Sequence, residues 1–75
     1  MTFDEYVAAV YEAEAEHPDW RTGQTYFDVL CKHNRVLAEE ILGTVRDPFY
    51  IDARCAAFLR HVGGQLGQDV VDVAP

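Results

Sequence analysis

Apolar residues recur at the spacing of a helix face along most of this chain, in short segments bounded by glycine, proline and capping residues. The first segment has the spacing i, i+3, i+4, i+7, i+8 of one apolar stripe: Phe3, Tyr6, Val7, Val10 and Tyr11. Thr2 and Glu5 stand at the spacing of a capping box, and Pro18 disfavours helical backbone at His17. The pattern predicts a first helix from about Phe3 to Glu16.

A second helix is predicted from Asp19, as its capping residue, to about His33. Its apolar face contains Trp20, Gly23, Phe27, Leu30 and Cys31. A later start capped by Thr22 is the alternative, and it places Gly23 in the first turn. Because glycine inside a helix costs about 1 kcal/mol relative to alanine, its place on this face indicates that a helix or a ring packs closely against the bare backbone.

Asn34 is a favourable capping residue for a third, short helix. Its expected apolar residues are Val36, Leu37, Ala38, Ile41 and Leu42. Gly43 follows directly, and glycine at this point commonly adopts the left-handed conformation that ends a helix.

Residues 43–54, GTVRDPFYIDAR, link the third helix to a fourth. Asp47 is interpreted as a cap, with Pro48 at the first helical position, where its missing N–H is not needed. Asp52 is interpreted as the cap of a further helix that runs to about Val62. The buried face of that helix is expected to contain Cys55, Phe58, Leu59 and Val62, and Gly63 is expected to end it.

The adjacent rings of Phe49 and Tyr50 lie within this link. At least one of them is expected to fill the space between helices, because a chain this small needs aromatic burial. An exposed recognition loop is the alternative, and the two interpretations are compatible if one ring is buried while the other faces solvent.

The predicted architecture is all-α, a compact bundle of three to four short helices in one domain, residues 1–62, with a flexible C-terminal tail, residues 63–75. A chain of 75 residues buries only about 60% of its unfolded surface, so a disulfide, a metal or a partner chain often adds stability. Cys31 and Cys55 are too few for a disulfide framework and are interpreted as small buried hydrophobic residues.

The net charge of −7 is unevenly distributed. Residues 1–20 contain six acidic residues and no Lys or Arg, whereas residues 21–60 contain five acidic and all six basic residues. A protein that binds nucleic acid directly needs a basic surface, and an anionic membrane would repel this chain. The N-terminus has no basic region of the kind that opens a signal peptide. We therefore expect a soluble, cytoplasmic protein that binds neither nucleic acid directly nor a membrane.

Possible metal ligands have unsuitable spacings. Cys31 and His33 point about 200° apart on a helix, and Cys55 and His61 also lie on different faces, unlike the spacings of zinc sites. The carboxylates Glu12 and Glu16 share a helix face, but acid–base catalysis needs a desolvated cleft that separates their pKa values. No phosphate-binding loop or nucleophile motif is present. We expect no metal, no cofactor and no enzymatic activity.

Aromatic residues are numerous for so small a core, with one Trp, four Tyr and four Phe. Because Tyr and Trp are frequent in the energetic centres of protein interfaces, a non-enzymatic protein-interaction function is the leading hypothesis. The candidate contact residues are Tyr6, Tyr11, Trp20 and Tyr50, together with Glu12 and Glu16. A homodimer is also consistent with the small core. The alternatives are an acidic nucleic-acid mimic that occupies a basic groove, and a small ligand-binding or enzymatic domain.

Three segments occur in a familiar order, Trp20-Arg21-x-Gly23-Gln24-x-x-Phe27-x-Val29-Leu30, Leu37-Ala38-x-x-Ile41-x-Gly43-Thr44 and Asp47-Pro48-Phe49-Tyr50-x-Asp52. This pattern resembles a group of small proteins of actinobacteria and their bacteriophages, and it covers roughly residues 20–62. The resemblance implies no particular activity. It does imply a setting, the bacterial cytosol, and a phage or prophage accessory protein. In that setting, the leading hypothesis is a protein that binds and modulates a host protein.

Overall fold

The computed structural model describes residues 1–66, and in this range the fold is all-α, as predicted. The elements in chain order are α1 (Phe3–Glu16), α2 (Thr22–His33), α3 (Arg35–Ile41), a 3-10 helix (Asp52–Arg54) and α4 (Cys55–Leu66). Helix α2 is central, since it packs against α1, α3 and α4.

Helix α1 has the predicted bounds, and its start is fixed by the predicted capping box. The backbone N–H of Glu5 donates to Thr2 Oγ1 at 3.2 Å, and the backbone N–H of Thr2 donates to Glu5 Oε1 at 2.8 Å. Two amide donors that a helix start leaves without partners are thereby satisfied. The helix ends at Glu16, directly before the His17-Pro18 step.

Helix α2 begins at Thr22, so the predicted start at Asp19 is wrong. Residues 17–20 form a turn in which the backbone N–H of Trp20 donates to the His17 carbonyl at 3.1 Å. The alternative start is closer to the observed one, because Gly23 does lie in the first turn. Thr22 is the first helical residue, however, and the cap position is held by Arg21, whose side chain makes no capping hydrogen bond.

Helix α3 is capped as predicted, with the Leu37 backbone N–H donating to Asn34 Oδ1 at 3.2 Å. Of its predicted apolar positions, Leu37, Ala38 and Ile41 are buried, whereas Val36 and Leu42 are exposed. Only one face of this short helix meets the core. Gly43 has φ +78°, the left-handed conformation predicted for it.

The core is formed mainly by apolar side chains from all four helices. Its buried members are Tyr6, Val10, Phe27, Val29, Leu30, Leu37, Ala38, Ile41, Phe58 and Val62. The two cysteines are free and only half-buried, so neither is the fully buried residue that its apolar neighbours suggested. Burial nevertheless raises the pKa of the Cys55 thiol, with the nearby Asp52 charge contributing in the same direction.

The predicted helix start at Asp47-Pro48 is wrong. The Asp47 carboxylate accepts from the backbone N–H groups of Gly43 at 2.8 Å and Phe49 at 3.0 Å, and these bonds close a loop instead of opening a helix. Pro48 is buried. Phe49 is half-buried, with its ring edge-on to Phe27 at 6.1 Å, while Tyr50 is 80% exposed. One ring thus packs inward and the other faces solvent.

Asp52 does not cap the helix that follows it. It begins the 3-10 helix, and its Oδ1 accepts from the backbone N–H of Gly23 at 3.0 Å, so it caps α2 from 29 positions away in the chain. Gly23 permits this contact, since a Cβ there would lie 1.9 Å from the Pro48 carbonyl oxygen. The predicted close approach is real, but the neighbour is loop backbone, not a helix or a ring.

Helix α4 continues through Gly63 to Leu66, so the predicted stop at Gly63 is wrong. Neither Gly63 nor Gly64 has the positive φ that would end the helix, and Gly63 packs beside the Phe3 ring. The first four residues of the predicted tail therefore belong to α4. The rest, residues 67–75, lies outside the described residues.

Candidate protein-interaction groove

Helices α1 and α2 enclose a shallow groove with a volume of about 140 Å³, called the α1–α2 groove below. Small and apolar side chains, Ala9, Ala13 and Val29, form its floor. Polar side chains form both walls: Glu12 and Glu16 on α1, and Asp28, Lys32 and His33 on α2. The rings of His17 and Trp20 lie at one end.

The ring pair is positioned by the turn between the two helices. Pro18 prevents α1 from continuing, and the turn that follows brings the Trp20 indole onto the His17 imidazole. The ring centroids are 3.7 Å apart and the planes are inclined by 5°. One face of the half-buried indole is thus covered by His17, and this stacking holds Trp20 at the end of the groove.

The α1 wall carries two carboxylates one helical turn apart, because Glu12 and Glu16 are separated by four residues. Both side chains are exposed. The ion pairs found among residues 1–66 join Arg21 to Asp52 and Arg35 to Glu39, so neither carboxylate is paired there. Both are therefore available to an external cation.

The α2 wall is mixed in charge. Burial raises the pKa of the Asp28 carboxyl, while a hydrogen bond from Gln24 and the nearby His17 act in the opposite direction. Lys32 places a positive charge on the same wall. The groove is thus acidic on its α1 wall and of mixed charge on its α2 wall, and aromatic rings lie at one end.

Three of the six predicted contact residues, Glu12, Glu16 and Trp20, come together in this groove. Two others are exposed elsewhere, Tyr11 at 68% on α1 and Tyr50 at 80% on the link to α4. The prediction that Tyr6 is a contact residue is wrong. Its side chain is fully buried, so it belongs to the core and cannot contact a partner.

The groove residues on α2 were missed by the sequence interpretation. Asp28 and Lys32 are four residues apart, which places them on one polar face of α2, so helical spacing could have grouped them. Nothing in the spacing indicates that this face lies beside Glu12 and Glu16, because that depends on how the two helices pack.

Tyr50 marks a separate surface whose backbone is firmly held. The Arg21 guanidinium donates to the Phe49 carbonyl oxygen, and its Nε lies 3.8 Å from Asp52 Oδ1. The guanidinium carbon of Arg21 also lies 5.9 Å from the centroid of the Tyr50 ring. These contacts fix the link between α3 and α4 against the start of α2, and they leave the Tyr50 ring in solvent.

The size of the α1–α2 groove limits what it can hold. Pockets for whole small molecules usually have volumes of about 300 Å³ or more, so this one suits a single side chain. In the described part of the chain, no three His, Cys, Asp or Glu side chains are grouped to bind a metal ion. None of the helices in that part has the length and apolar character needed to cross a membrane.

Comparisons with protein-family models, with curated proteins and with solved structures found no match. A functional proposal therefore rests on the geometry of these surfaces.

Proposed function

We propose that this protein is a small, non-enzymatic interaction protein that holds a basic side chain of a partner protein in the α1–α2 groove. The observation that carries the proposal is the meeting of Glu12, Glu16 and Trp20 around one groove of side-chain size. The setting we propose is the cytoplasm of an actinobacterial host, where a phage or prophage accessory protein of this kind would modulate a host protein.

The chemistry of the groove favours a Lys or Arg side chain as the group that is held. Unpaired carboxylates form charge-assisted hydrogen bonds with ammonium and guanidinium groups, and an indole ring attracts a cation placed over its face. Because His17 already fixes the indole, little side-chain freedom is lost at Trp20 on binding. The net charge of −7 would also accelerate encounter with a basic partner.

The proposal is tested by capture from an actinobacterial lysate with the tagged protein, read by mass spectrometry. The informative variant is Glu12→Gln/Glu16→Gln, which removes both groove carboxylates. Its matched control is Glu39→Gln/Glu40→Gln, which removes the same charge from exposed positions on α3. A protein that is lost with the first variant and retained with the second supports the proposal. Equal loss with both variants, or no enriched protein at all, contradicts it.

The same experiment separates nucleic-acid mimicry from groove recognition. All six acidic residues of residues 1–20 are exposed, which is the observation that favours mimicry. A mimic would recover a nucleic-acid-binding protein, would be displaced by added DNA, and would lose affinity steeply with salt. Its binding would also fall comparably whichever exposed carboxylates were removed.

A further inference from the structure

A second groove lies between the α3–α4 link and α4, and its charge is opposite to that of α1. It has a volume of about 310 Å³ and is lined by Val45, Arg46, Ala57, Arg60 and His61. We call it the cationic groove. Val45 is 73% exposed there, so the groove combines an apolar surface with two guanidinium groups and an imidazole.

The guanidinium groups of Arg46 and Arg60 have no carboxylate partner among residues 1–66, where the ion pairs involve Arg21 and Arg35. Arg54, on the neighbouring 3-10 helix, donates to the Thr44 carbonyl and adds a third positive charge to the same segment. The unpaired cations give this segment a local positive charge on a chain of net charge −7. They favour an occupant that is acidic and, because of Val45 and Ala57, partly apolar.

The exposed face of α1 has this chemistry. Tyr11 is 68% exposed, and Glu14, three residues further along the helix, is exposed beside it. Ala8 and Ala15 are exposed at i−3 and i+4 from Tyr11, so its ring projects beyond its neighbours. A tyrosine ring packs favourably against guanidinium groups, and a glutamate pairs with one of them.

We propose that a second copy of this chain occupies the cationic groove, with its Tyr11 ring between Arg46 and Arg60 and its Glu14 carboxylate on Arg60. The two surfaces that meet are different, so the contact is heterologous, and copies join head to tail. The α1–α2 groove is not part of the contact. A chain with so small a core gains stability from such association.

Sedimentation equilibrium tests this proposal on the purified protein, from about 10 µM to about 1 mM. The average mass of the wild type should rise with concentration. Tyr11→Ala should weaken association about tenfold, and Arg60→Glu, which places like charges in the contact, should abolish it over this range; circular dichroism shows whether each variant keeps the fold. Arg35→Glu makes the same charge change on α3, outside both surfaces, and should leave the association constant unchanged.

A mixing experiment checks the pairing itself. Glu14→Arg and Arg60→Glu each place like charges in the contact, so neither variant should associate alone. Mixed together they restore complementary charges in both possible contacts, so the mixture should associate with the two variants alternating, and its average mass should rise with concentration. A wild type that stays monomeric over the whole range, association that survives Arg60→Glu, or a mixture that stays monomeric would each overturn the proposal.

Discussion

Tyr6 carries a polar hydroxyl group into the centre of the core, where its side chain is fully buried. The hydroxyl donates to the Tyr26 carbonyl oxygen at 2.6 Å. The ring packs against those of Phe3 and Phe58, whose centroids are 6.2 and 6.4 Å away. Burial raises the pKa of the Tyr6 phenol, with smaller contributions from Tyr26 and Cys55. The residue is therefore a neutral hydrogen-bond donor that joins α1 to α2.

Tyr6→Phe removes this hydrogen bond and keeps the ring. It should lower the free energy of unfolding by about 0.5–1.5 kcal/mol, the usual net contribution of such a bond. Urea denaturation of wild type and variant measures the difference. Tyr11→Phe, at an exposed position on the same helix, is the control and should leave the urea midpoint unchanged. Equal midpoints for Tyr6→Phe and the wild type would show that the hydroxyl contributes nothing to stability.

Asp28 links stability to pH. Burial raises the pKa of its carboxyl above the ordinary value of 3.8, so the folded state favours the protonated form. The corresponding contribution to stability is fully present below pH 3.8 and is lost as the pH rises through the raised pKa. At neutral pH the ionised carboxylate therefore opposes folding.

Asp28→Asn keeps a side chain that can hydrogen-bond with Gln24 but removes the charge. At neutral pH the variant should have a higher urea midpoint than the wild type, and the difference should vanish below pH 3.8. Urea titrations at both pH values measure this. A lower midpoint for the variant at neutral pH would mean that the charge of Asp28 stabilises the fold.

At the scale of elements, two helical glycines have opposite surroundings. A Cβ at Gly23, in the first turn of α2, would lie 1.9 Å from the Pro48 carbonyl oxygen, whereas a Cβ at Gly64, in α4, would meet nothing within 4 Å. Gly23→Ala should therefore destabilise the protein by about 3 kcal/mol. Gly64→Ala should stabilise it by up to about 1 kcal/mol through helix propensity. Thermal unfolding of the two variants should shift in opposite directions, and shifts of the same sign would contradict this account of Gly23.

The start of α2 depends on a carboxylate from another element. Asp52→Ala removes the acceptor of the Gly23 N–H and the partner of Arg21, and should cost about 1–2 kcal/mol. Asp52→Asn retains an acceptor oxygen and should keep most of that stability. Urea denaturation measures both. Equal losses for the two variants would show that the charge of Asp52, not its hydrogen bond to α2, is what matters.

For the whole molecule, the features predictable from sequence are those set by neighbouring residues. The bounds of α1 follow from a capping box at one end and a proline at the other, and the cap of α3 and the left-handed Gly43 are equally local. The start of α2 was not predictable, because its cap comes from Asp52, which reaches Gly23 only after folding.

The same distinction applies to the candidate site. Glu12 and Glu16 could be grouped from their spacing, and Trp20 could be chosen for its residue type. Tyr6 was chosen on the same basis as Trp20 and proved to be core, because residue type does not determine which rings a small core encloses. The residues of the α2 wall could not be predicted to join Glu12 and Glu16, because their position depends on how the two helices pack.

The central claim is that the α1–α2 groove holds a basic side chain, and Trp20 reports on it directly as the chain's single tryptophan. The measurement is a fluorescence titration of the protein with a short synthetic arginine peptide. We predict a saturable change in Trp20 emission. The affinity for the peptide should be about tenfold weaker in Glu12→Gln/Glu16→Gln, and it should stay close to the wild-type value in Glu39→Gln/Glu40→Gln. No saturable change, or the same loss of affinity in both variants, would contradict the claim.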